Sequence, residues 1–160
     1  MKTLYVGDAR DIVARICTNH GAGNVEGSAL RRYVAHAMGL GLTRTRRPSG
    51  STRVRIRLPD PRVGERAVSA YIRSGWWRLA LCESYEEAKA LQWLAIEVLK
   101  SIWNTDRRPT AAGSDQRFKD HLRQLAISPL LPFEAVRAQR PGLGVYVFYH
   151  VQSPRFETEP

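Results

Sequence analysis

A strand-like segment stands at each end of this chain, and the two carry the same residue types in opposite order. The N-terminal one reads Leu4-Tyr5-Val6-Gly7, and the C-terminal one reads Gly144-Val145-Tyr146-Val147-Phe148-Tyr149. Arg15 follows Gly7 by eight residues, on what should be the next helix. Strand backbone must find hydrogen-bond partners, so where these two segments find theirs decides the fold.

Between them, strands and helices are intermixed. Residues 3–7 predict a strand, and Asp8 is placed to cap a helix over 9–19 that buries Ile12, Val13 and Ile16. Residues 20–27 predict a loop. Ser28 predicts a cap for a helix over 29–38 that ends at Gly39, and 39–51 predict a loop carrying Arg44, Arg46 and Arg47. From Thr52 to Leu58 the chain alternates, with Val54, Ile56 and Leu58 on one face and Arg53, Arg55 and Arg57 on the other, the pattern of a half-buried strand. Asp60-Pro61 opens a helix to about Ser74, and 76–82 predict a strand. Ser84-Tyr85-Glu86-Glu87 is a capping box for a long helix to about Trp103. Residues 104–114 predict a connector, 115–127 a helix, 129–144 irregular chain, 145–151 the last strand, and 152–160 a frayed tail. The expectation is a single α+β domain over 1–160 with a small, mainly antiparallel sheet flanked by helices.

With 160 residues the chain can bury a core without disulfides or a structural metal. It has no run of 18 or more apolar residues and no leader pattern, so a cytoplasmic protein with no membrane partner is expected. Cys17 and Cys82 lack metal or redox spacing and read as reduced thiols; His36, His121 and His150 show no metal spacing either. The net charge is +10 and comes mostly from arginine. Arginine pairs with phosphate in a bidentate fork, so nucleic acid is the leading partner class. Six arginines and no acid fall within the fourteen residues from Arg44 to Arg57. Phosphate tracking is the role that suits them, and nothing there reads as base recognition.

The Tyr-Val-Gly and Gly-Val-Tyr triplets, Arg15 at its offset, and a later helical glutamate followed by asparagine together resemble the GIY-YIG nucleases. That family is known from excision-repair nucleases, intron homing endonucleases and some restriction enzymes. Gly27-Ser28-Ala29-Leu30-Arg31-Arg32 and Leu131-Pro132-Phe133-Glu134 extend the resemblance. In the family the two triplets lie on adjacent, paired strands, whereas here their order is reversed. The resemblance therefore implies a circular permutation, with strand 145–151 beside strand 3–7 across the chain's ends.

It also implies a metal-dependent endonuclease that hydrolyses DNA phosphodiesters with Mg²⁺ or Mn²⁺. Glu97 is then the metal ligand and Arg15 the phosphate clamp, while Tyr5 and Tyr146 position and deprotonate water. His20 lies near a family histidine that transfers protons, and Gly7, Gly144 and Asn104 support the site. Arg31, Arg32, Arg44, Arg46, Arg47, Arg53, Arg55 and Arg57 are the nucleic-acid-binding set, and a homodimer is open. From the residues alone, Glu97 stands among Trp93, Leu94, Ala95, Ile96, Val98 and Leu99, where an inward carboxylate needs a partner or a metal. The other reading is that it faces solvent. Glu83, Glu86 and Glu87 are more simply helix-start charges. Two other functions stay open: a catalytically inactive nucleic-acid-binding module with a basic groove, and a domain whose basic face meets an acidic protein.

Overall fold

The computed structural model describes residues 1–106 and 115–157. The expected connector therefore lies partly outside the described residues, as does the end of the tail. The fold is α+β, built on a four-stranded antiparallel sheet in the order β1-β6-β4-β5 with a separate two-stranded hairpin, β2-β3. The strands are β1 (Lys2–Ala9), β2 (Leu42–Arg46), β3 (Thr52–Ile56), β4 (Trp76–Leu81), β5 (Leu131–Pro132) and β6 (Gly144–His150). The helices are α1 (Ile12–Ala14), continued by a π-helical segment Arg15–His20, then α2 (Ala29–Ala37), α3 (Pro61–Arg73), α4 (Tyr85–Leu99), α5 (Gln116–Ile127) and α6 (Phe133–Val136). None of the described helices is long and apolar enough to cross a membrane.

The two end segments pair with each other. β1 runs antiparallel to β6, with Tyr5 opposite Phe148, Val6 opposite Val147, Gly7 opposite Tyr146 and Ala9 opposite Gly144. A register shift between Thr3 and Tyr5 inserts Leu4 as a bulge, so Leu4 and Tyr5 both join the same core. Strand alternation then sorts the side chains. Tyr5, Tyr146 and Phe148 face a core shared with α2, α3 and Trp77, while Val6, Val145 and Val147 face α4 and α5.

Two glycines make the β1-β6-β4 contact possible. A Cβ on Gly7 would overlap the outer ring atoms of Tyr146, whose Cε2 would stand 2.8 Å away. One on Gly144 would overlap the Ala80 carbonyl of β4. These are the glycines of the two end triplets, and both are required for close approach rather than for an unusual backbone angle.

β1 is an edge strand, and the chain after α4 covers it. Ile102 and Trp103 donate backbone N–H groups to the carbonyls of Thr3 and Leu4. The Asn104 side chain then continues the ladder, accepting from Val6 N–H at 2.7 Å and donating to Val6 C=O at 2.9 Å. Ser101 Oγ donates to the same amide oxygen at 2.7 Å. Asn104→Ala leaves both Val6 groups unpaired in a buried setting, and the expected cost is about 2–3 kcal/mol in urea denaturation.

Several expectations are corrected. Asp8 lies inside β1, and the cap of the first helix is Asp11, which accepts from Ala14 N–H. The helix expected over 9–19 is one short α-turn followed by a π-helical segment. Residues 42–46, expected as loop, form β2; 131–136, expected as irregular chain, form β5 and α6. The described tail is held at two points: Gln152 accepts from Tyr71 Oη at 2.8 Å, and Phe156 packs on the core. The caps at Ser28, Asp60 and Ser84 stand as the sequence predicts, and Asp115, expected as the first residue of its helix, is the cap instead.

Candidate active site

β1 brings Tyr5, β6 brings Tyr146, and the π-helical segment brings Arg15 and His20 to one place. Tyr146 is 1 % exposed and His20 is wholly buried. His20 Nε2 lies 2.6 Å from Tyr146 Oη, and Nδ1 lies 2.6 Å from Ser28 Oγ. A neutral imidazole has one donor and one acceptor nitrogen, so two hydroxyl partners satisfy it in either tautomer. The Tyr5 ring sits 6.3 Å from that of Tyr146 and 6.2 Å from that of His20, edge-on to the imidazole. On its other side Tyr5 meets Tyr33 at 6.0 Å, and His20 stacks on Trp77 at 6.3 Å.

The π-helical geometry has a local consequence. Its wider turn places Arg15 and His20 on one side, both towards Tyr146. Arg15 donates to the Gly27 carbonyl at 3.2 Å, and its positive charge opposes the rise of the Tyr146 phenol. Its charge also acts on Tyr5 and His20. Arg15 is half-buried, the most accessible of the four.

Burial dominates the electrostatics. It pushes the Tyr5 phenol up to about 12, against the lowering pull of Arg15. Burial likewise holds Tyr146 well above the ordinary phenol range, with Tyr5 adding to it and Arg15 opposing. His20 is held well below 6.5 by burial, then by Arg15 and Arg31. These phenols stay protonated and this imidazole stays neutral at neutral pH.

Linkage gives the sign of the consequence. Below about pH 6.5 the unfolded chain binds a proton at His20 that the native chain does not, so stability falls as pH drops through that value towards the lower folded pKa. The slope this residue contributes approaches about 1.4 kcal/mol per pH unit within that window. His20→Gln is expected to flatten the fall between pH 6.5 and 5 in urea melts. His150, also lowered by burial, contributes a smaller fall of the same sign.

Glu97 does not join this cluster. It is exposed on α4, and α4 packs on the Val6, Val145 and Val147 face, opposite Tyr146. The buried polar residue of α4 is Gln92, whose Oε1 has no partner. An amide cannot neutralise a divalent ion as a carboxylate does. Asp8 acts on both phenols through its charge, but strand parity turns it, with Val6, to the α4 face. A Mg²⁺ site built on Glu97 beside the two tyrosines therefore does not fit these residues.

Arg31 is corrected as well. It is fully buried, and its five N–H donors are consumed: Nε and Nη2 on Glu65 Oε2, Nη2 also on the Glu65 carbonyl, Nη1 on His20 C=O and Ser69 Oγ. No donor is left for a phosphate. Arg32 donates to the carbonyls of Val25 and Glu26. Arg47 pairs with Glu26 at 2.7 Å.

The hairpin arginines stand differently. Arg44, Arg46, Arg53, Arg55 and Arg57 are all exposed, and none takes part in the described ion pairs. Register places Thr43 opposite Arg55 and Thr45 opposite Arg53, so these four share the outward face while Val54 and Ile56 are buried. A groove of about 420 Å³ runs along this face, lined by Thr43, Thr45, Arg55 and Arg57 among others.

Sequence reasoning missed Ser28 as a partner of His20, Tyr33 beside Tyr5, and Glu65 as the counter-charge of Arg31. Ser28 carried a signal that pointed only to its capping role, which it also keeps. Compared with protein-family models, with curated proteins and with solved structures, the chain matches none of them.

Proposed function

We propose that this chain is a nucleic-acid-binding domain, built on a circularly permuted GIY-YIG-like core, that grips the phosphate backbone of DNA through the β2-β3 hairpin. The observation that carries the reading is the outward hairpin face, where Arg53, Arg55 and Arg57 stand beside Thr43 and Thr45 without an acidic partner among the described ion pairs. Guanidinium forks and hydroxyls are the donors that phosphate oxygens take, and a two-stranded ribbon offers them in a row. Contacts of this kind fix register on a duplex without reading its bases. The tyrosine-histidine cluster has a separate task in this reading, locking the two chain ends together.

The test is fluorescence anisotropy of a labelled duplex across a salt series. Affinity should fall linearly on a log-log plot of binding constant against salt, with a slope of about −3 or steeper, and should change little between unrelated sequences. A slope near zero would remove phosphate contact from the account.

A second reading, Mg²⁺- or Mn²⁺-dependent cleavage of DNA, is favoured by one observation. Tyr5 and Tyr146, from opposite ends of the chain, meet Arg15 and His20 in a single cluster. What weighs against it is the setting. Two buried phenols and a neutral imidazole are poor bases towards water, and no described carboxylate touches them.

A further inference from the structure

We infer that Cys82, Glu87 and His121 form a binding site for one soft divalent cation of the zinc class, on the sheet face opposite the tyrosine cluster. The three come from separate elements: Cys82 directly follows β4, Glu87 is in the first turn of α4, and His121 lies in the middle of α5. Their ligand atoms, Sγ, a carboxylate oxygen and a ring nitrogen, all lie within 4.8 Å of one another.

Two of these groups are already spaced for an ion. Glu87 Oε1 and His121 Nδ1 are 3.3 Å apart, and two ligands at about 2.0–2.1 Å in a tetrahedral shell are separated by roughly that distance. Glu87 is held for the role, since its Oε2 accepts from Glu83 N–H at 2.7 Å while Oε1 faces His121. The backbone of Cys82 is fixed by its N–H bond to Leu143 C=O at 2.9 Å. Small side-chain rotations then bring Sγ to the about 2.3 Å of a zinc-thiolate bond.

The chemistry of the donors selects the ion. Sulfur, nitrogen and one carboxylate suit Zn²⁺, whereas Mg²⁺ and Ca²⁺ require oxygen ligands throughout. Asp8 also faces this side of the sheet, its side chain only 8 % exposed, with Oδ1 paired to Lys89 at 3.7 Å and Oδ2 unpartnered. On binding, Cys82 would release its proton to solvent and coordinate as the thiolate, with no change of oxidation state. Glu83, Glu87, Arg117, Asp120 and His121 line an open pocket of about 610 Å³ through which the ion would enter. Occupancy would tie α5 to α4 and to the end of β4.

The test uses the full chain with Co²⁺ as a spectroscopic probe and Zn²⁺ as its competitor. Wild type should give a thiolate-to-cobalt charge-transfer band saturating at one equivalent, bleached by Zn²⁺, and Zn²⁺ should raise its melting temperature. Cys82→Ser should lose the band while Cys17→Ser keeps it, and His121→Ala should weaken Zn²⁺ binding by about tenfold or more. Far-ultraviolet circular dichroism of the metal-free variants establishes that they are folded. Absence of the band in wild type, or its survival in Cys82→Ser, would overturn the assignment.

Discussion

Replacing Arg53, Arg55 and Arg57 together by alanine should weaken duplex binding by about 10²-fold near 0.1 M salt and make the log-log salt slope shallower by about 2–3. The magnitude follows from counterion release, in which each neutralised phosphate contributes about 0.9 to the slope. On the proposed reading the loss should be alike for unrelated sequences, because phosphate contacts carry no sequence information. Stability should hardly change. All three are exposed, none is in a described ion pair, and the strand is anchored from its other face by Val54 and Ile56. Arg31→Ala gives the contrasting result. It strands the Glu65 carboxylate against α2 and unfolds or severely destabilises the chain, so any loss of binding there reports on folding. The pair of measurements separates an arginine that contacts a ligand from one that holds the scaffold.

The second large effect is expected at Gly7. Gly7→Val places branched carbon where the Tyr146 ring already lies, opposite it across the β1-β6 ladder. The ring cannot withdraw, because His20 holds its hydroxyl at 2.6 Å and Trp77 packs 6.0 Å from it. The expected cost is about 3 kcal/mol or more in urea denaturation, a drop in melting temperature of roughly 6–12 °C for a chain of this size. Combining it with Tyr146→Leu should recover part of the loss, because the two residues share one volume. Strict additivity would mean that Gly7 is required for some other reason.

How much of this was legible in the residues depended on whether the signal was local. The end strands, the β3 alternation and three helix caps were readable, since each is written in adjacent side chains. Pairing of the termini was expected only through the resemblance, which implies adjacent strands; the structure adds the steric fit, in which Gly7 makes room for Tyr146 and Gly144 for the β4 backbone. β2 was missed because Leu42-Thr43-Arg44-Thr45-Arg46 has no buried alternation; its partner strand, not its composition, makes it extended. Glu97 was misplaced because α4 is covered both by the sheet and by α5, leaving a broad apolar surface on which the inward direction is ambiguous. Gln92, one turn and a little earlier, is the polar residue that ends up buried. Arg31 looked like a surface cation because its counter-charge, Glu65, lies on another helix. The Cys82, Glu87 and His121 grouping has no spacing signature for the same reason, since three elements contribute one residue each.

On the proposed reading the hairpin holds DNA and the chain does not cut it. The most direct measurement is incubation of supercoiled plasmid with the full chain and Mg²⁺ or Mn²⁺, reading gel mobility before and after protein removal. The account predicts retardation that is lost at high salt and an intact supercoiled plasmid once the protein is stripped. Metal-dependent nicking that disappears in Arg15→Ala and Tyr146→Phe but persists in Glu97→Ala would contradict it, and would make the buried cluster a catalytic centre.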